Sequence, residues 1–126
     1  MNGMRFLNSP KIVAVALMIL PFSAPAIAET SGVQWLKQYR ESSAETRQLI
    51  ESITAAEQDG MAWHAARTKI DAYCPPRNLS LTGSQLLDIL GRSIVSSPAL
   101  GEQPWGLALL FSLERTFPCP SGGASR

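Results

Sequence analysis

The chain holds two cysteines, Cys74 and Cys119, and prolines crowd both: Cys74-Pro75-Pro76 and Phe117-Pro118-Cys119-Pro120. A proline pushes the residue before it toward extended backbone, so no helix should run through either cysteine. A bond between them would close a loop of 45 residues, and the chain between must then fold as one unit. Whether the bond forms depends on the compartment.

The N-terminus speaks to that. Arg5 and Lys11 form a basic start, Ile12–Leu20 an unbroken apolar run, and Pro21 and Pro25 a break before Ala26-Ile27-Ala28. This is the layout of an export signal with a small-x-small cleavage site. The apolar run is about half the roughly 20 residues that cross a bilayer. No cysteine stands at the cleavage site to take a lipid. The expectation is a signal peptide at residues 1–28, a mature domain at 29–126, periplasmic delivery and no stable membrane anchor.

In an oxidising compartment an even cysteine count reads as a disulfide. Closing a 45-residue loop stabilises a domain by about 4 kcal/mol in the chain-entropy model. Of the 11 Lys+Arg, Arg5 and Lys11 lie in the leader, leaving nine against 10 Asp+Glu, a net charge of −1. A near-neutral domain without a basic run lacks the footprint of a nucleic-acid binder.

Two capping boxes mark helix starts: Ser31-Gly32-Val33-Gln34 and Thr82-Gly83-Ser84-Gln85. Behind the first, Val33, Leu36, Tyr39, Leu49, Ile50 and Ile53 predict a helix over 33–57, with room for a break in polar Arg40–Arg47. Asp59-Gly60 reads as a stop or turn. Met61–Ala72 is helix or irregular. Behind the second box, Leu86, Leu87, Leu90, Ile94 and Val95 predict a helix that Pro98 closes. Ala99–Gln103 reads as a short connection. Pro104 suits a first helical position, and Trp105–Leu113 is densely apolar. The tail 121–126 should fray. The expected fold is all-α, with three to five helices and one intrachain disulfide stapling a helical hairpin.

No catalytic constellation stands out. His64 is the sole histidine, and a Cys–His pair is the one nucleophilic arrangement available. Glu57, Asp59, Asp71 and Asp88 read as solvated faces. No metal or cofactor motif is present. Trp63 and Trp105 are candidate partner-binding anchors, because tryptophan is enriched at binding hot spots; core packing is their other reading.

Tyr73-Cys74-Pro75-Pro76, then Gln85-Leu86-Leu87, Ser97-Pro98 and Phe117-Pro118-Cys119, together resemble the Rap1a/Tai family. The match covers about 73–119. It implies a periplasmic, all-helical, often dimeric protein of immunity type, which binds a peptidoglycan amidase toxin delivered by type VI secretion. Cys74 and Cys119 carry over as the disulfide. Further cysteines common in the family's first half have no counterpart in 33–60. The alternative is a periplasmic acid-stress chaperone resembling HdeA, whose carboxylates protonate near about pH 2–3 and leave a cationic chain exposing apolar helix faces.

Overall fold

The computed structural model describes residues 29–120, so the expected leader 1–28 and tail 121–126 lie outside the described residues. Four α-helices follow in order: α1 (Gly32–Glu41), α2 (Ala44–Thr68), α3 (Gly83–Ser96) and α4 (Trp105–Thr116), with a 3-10 turn at Pro98–Glu102 before α4. No strand forms among the described residues, and the fold is all-α.

Both capping boxes form. The Ser31 hydroxyl accepts from the Gln34 N–H while the Gln34 side chain accepts from the Ser31 N–H, and Thr82 and Gln85 repeat the exchange. Each box satisfies two donors that a helix start otherwise leaves to water. The stretch expected as one helix over 33–57 is two. It breaks in the polar segment, where Ser42 ends α1 and the Ser43 hydroxyl caps α2.

The Asp59-Gly60 stop expected from the sequence is overturned: α2 runs through it to Thr68. A mid-helix glycine costs about 1 kcal/mol relative to alanine, and Ala55, Ala56, Ala62, Ala65 and Ala66 around it offset that with the best helix-forming residue type. The true end is Lys69, at φ 61° and ψ 25°, whose N–H returns to the Ala65 carbonyl. Nothing but open space surrounds the Cβ position of Gly60. Gly60→Ala is therefore expected to raise unfolding free energy by about 0.5–1 kcal/mol. A urea midpoint equal to or below wild type would contradict this.

The start of α1 is pinned to the start of α4. The Gly32 N–H donates to the Gln103 carbonyl and the Trp105 N–H to the Thr30 carbonyl, both at 2.9 Å. Pro104, which the sequence suggested as the first helical residue of α4, is its N-cap, with ψ 133° outside the helical range.

The core joins Trp35 and Leu36 of α1, Ile50 of α2, Leu86, Leu87, Ile89 and Leu90 of α3, Leu100, and Ala108, Leu109 and Leu113 of α4. Each fully buried leucine contributes about 1.5–3 kcal/mol relative to exposure. Val95, placed on the α3 stripe by its sequence, is instead 81% exposed. Nine residues after Leu86 is about half a turn away around the helix, so both cannot face the core. The α2 and α3 backbones meet at Gly83, where a Cβ would lie 2.1 Å from the Glu51 carbonyl oxygen.

Cys74 and Cys119 are bonded, with Cα atoms 4.9 Å apart. Beside the bond the Cys74 N–H donates to the Phe117 carbonyl at 2.8 Å. The bridge thus ties the approach to α3 to the exit of α4 and encloses the hairpin between them.

Candidate binding surface

The two tryptophans singled out from the sequence part company. Trp105 stacks on Trp35, with ring centroids 4.5 Å apart and planes 13° from parallel. That is the packing arrangement of the core reading: Trp105 is partly buried against the core cluster. The Trp35 indole N–H donates to the buried Thr54 hydroxyl at 3.1 Å, which in turn donates to the Ile50 carbonyl. Trp35 was missed as a core residue. Its i, i+4 spacing to Tyr39 was the available signal.

Trp63 is the opposite case, 78% exposed on α2. The reason lies in how α2 is held. Its fully buried residues are Ile50 and Thr54, and further along Met61 also packs on the core; Trp63, two residues after Met61, lies on nearly the opposite side of the helix. Beyond Thr54, one side of α2 turns back over the segment leading to the disulfide. Met61, His64, Ala65, Ile70, Tyr73 and Leu110 help to line a cleft of about 550 Å³ between α2, that segment and α4. Ile70 at its edge is 71% exposed. The Gln58 side-chain amide donates to the Tyr73 hydroxyl at 3.2 Å, and the disulfide follows at the next residue. The lip of the cleft is thus held to the frame.

Glu57 and Asp71, which the sequence reads as solvated helix faces, both lie on this cleft. They give its apolar wall two carboxylates, and His64 is the one other ionisable group with a basic form there. The cleft can take an apolar side chain accompanied by a cation. Both cysteine sulfurs are in the bond, so neither is a thiol that His64 could activate. No group of side chains able to hold a metal ion occurs among the described residues. No helix among them is long and apolar enough to cross a membrane.

One hydroxyl away from this surface is electrostatically coupled to the fold. Tyr39 donates to the Glu51 carboxylate, and that bond, with burial and the carboxylate's charge, holds its pKa above the ordinary 10.0. An acid that keeps its proton longer when folded stabilises the fold below its unfolded pKa and loses that contribution as pH rises through the folded value. Stability should therefore fall above about pH 10, and Tyr39→Phe should flatten the fall. Urea midpoints at about pH 9 and about pH 11 test it; parallel declines in both proteins would contradict the assignment.

No family model, curated protein or solved structure matches the chain.

Proposed function

We propose that the protein is an exported binding protein of immunity type, resembling the Rap1a/Tai family, which neutralises a peptidoglycan amidase by occupying it. The observation that carries this reading is Trp63, a large aromatic left in solvent on α2 of a disulfide-stapled frame. Leaving a tryptophan exposed forgoes its burial energy, and exposed tryptophans are enriched where partners bind. The Cys74–Cys119 bond supports the reading as well, since it joins the two proline-flanked motifs on which the resemblance rests. Binding asks for a rigid anchor and a complementary surface rather than for a proton relay. His64 then serves as a wall of the cleft.

This reading expects a gene beside this one to encode the amidase, and the test is co-expression of the two exported proteins. The protein should rescue a susceptible host from lysis, and His64→Ala should leave rescue intact. Failure to rescue, with suppression of client aggregation at about pH 2–3 instead, would replace this reading with the acid-stress chaperone.

A further inference from the structure

Residues 70–82, which join α2 to α3, form no helix, and none of them is buried. Tyr73, Cys74, Pro75 and Leu81 are half-buried and the rest are exposed. A stretch with so few buried contacts belongs to the low-stability end of a fold, where local opening costs least. Its polar ties to other elements gather at two adjacent residues. The Tyr73 hydroxyl accepts from the Gln58 side-chain amide at 3.2 Å, the Cys74 N–H donates to the Phe117 carbonyl at 2.8 Å, and the Cys74 sulfur is bonded to Cys119.

That pin stands between two hollows, and the segment walls both. On its N-terminal side Ile70, Asp71 and Tyr73 close the cleft of about 550 Å³ on α2 and α4. On its C-terminal side Leu79 and Leu81, with Phe117, edge an open groove of about 890 Å³ along α3. The buried core comes from the four helices and the 3-10 turn, and Tyr73 and Leu81 pack against it only partly. The bond therefore holds a strap that shapes two surfaces, while the core beneath is assembled from other residues.

We infer that the Cys74–Cys119 bond is a redox latch: reduction by a dithiol frees strap 70–82 and opens the wall it gives to both hollows, while the four helices stay packed. Both cysteines are only half-buried, and exposed Pro118 and Pro120 flank Cys119, so a thiolate can approach the sulfurs. Exposed disulfides are the ones that exchange readily, whereas enclosed ones persist. One thiolate of the dithiol attacks one sulfur and displaces the other as a thiolate, giving a mixed disulfide. The second thiolate of the dithiol then attacks that bond, closes the reductant's own disulfide and releases the second cysteine. Cys74 and Cys119 gain two electrons and two protons, and the dithiol loses the same. The hydrogen bonds left at Tyr73 and Cys74 compete with water and do not replace a covalent tie. This rests on the partner-binding reading above and adds its regulation, since a partner seated in the α2 cleft loses one wall of its site when the bond opens.

Dithiothreitol is the probe. Hydrogen exchange read by mass spectrometry compares the oxidised exported protein, the same protein reduced without denaturant, and Cys74→Ser/Cys119→Ser. Reduction should speed exchange across residues 73–81 by about tenfold or more, while the core amides of α1, α3 and α4 keep their protection and far-UV circular dichroism keeps its helical amplitude. The double serine variant should match the reduced protein. Protection lost from all helices together would overturn the inference, because the bond would then hold the core. Unchanged exchange over 73–81 would overturn it too, as would a bond that dithiothreitol reduces only in denaturant. The latch and the immunity reading fail separately. Strap release without amidase rescue leaves the latch standing, whereas rescue by a protein whose bond resists native reduction leaves the function standing without it.

Discussion

Gly83→Ala is expected to be among the most damaging single substitutions in the domain, although it adds one methyl group in a helix, where alanine is intrinsically preferred. Its Cβ would lie 2.1 Å from the Glu51 carbonyl oxygen and 2.7 Å from the Glu51 Cα. Those are backbone atoms in the middle of α2, and they cannot rotate aside as a side-chain tip would. Either α3 lifts off α2 or its capped first turn unwinds. The first opens the contact between Ile50 and the α3 leucines, and the second breaks the Thr82–Gln85 exchange. Overpacking costs about 1–3 kcal/mol and occasionally more, and a clash with rigid backbone belongs at the upper end, beyond the roughly 1 kcal/mol that alanine gains in helix propensity. Urea unfolding should show a large drop in midpoint, and a loss below about 1 kcal/mol would mean that α2 and α3 are not held this closely. Gly60→Ala is the internal control. The same exchange of residues, on the same pair of helices, should stabilise at one site and disrupt at the other, because only one of the two glycines is in contact.

Cys119→Ser should destabilise the domain by about 2–5 kcal/mol, the usual range for a small secreted domain that loses its disulfide. The bond closes the 45-residue loop holding α3, the 3-10 turn and α4, which together supply most of the buried side chains. Without the bond, the Cys74 N–H to Phe117 carbonyl hydrogen bond is left to hold the ends of that loop together. The double variant Cys74→Ser/Cys119→Ser separates the loss of the bridge from side reactions of a freed thiol. Both should unfold at similar urea concentrations below wild type. A stability unchanged in the double variant would show that packing alone closes the hairpin.

The contrast between what the sequence made legible and what it hid follows a physical division. Helix starts were readable because a capping box is a local device, complete within four residues, and both boxes form. The disulfide was readable because the chain offers one possible pair. Helix ends and faces were harder. Asp59-Gly60 reads as a stop on local grounds, but the alanines around it outweigh one glycine, and the chain turns instead at Lys69, a residue type with no special liking for positive φ. The α2 pattern was misread for a related reason. Leu49 and Ile53 were assigned with Ile50 to one apolar set, yet adjacent residues lie about 100° apart on a helix. With apolar side chains on two sides, hydrophobicity alone does not say which side is packed. The same ambiguity covered the two tryptophans. Trp105 found Trp35, a partner distant in the sequence, while Trp63 stands on the side of α2 turned away from core-packed Met61.

The measurement closest to the central claim is a calorimetric titration at neutral pH of the mature domain against a purified amidase from the neighbouring gene, with wild-type protein and with Trp63→Ala. Trp63 is solvent-exposed, so its truncation should leave the unfolding free energy within about 0.5 kcal/mol of wild type. The wild type should form a complex, and Trp63→Ala should lose about 2 kcal/mol or more, about thirtyfold in affinity. A complex whose affinity is the same for both proteins would contradict the placement of the binding surface on α2, and no complex at all would contradict the proposed function.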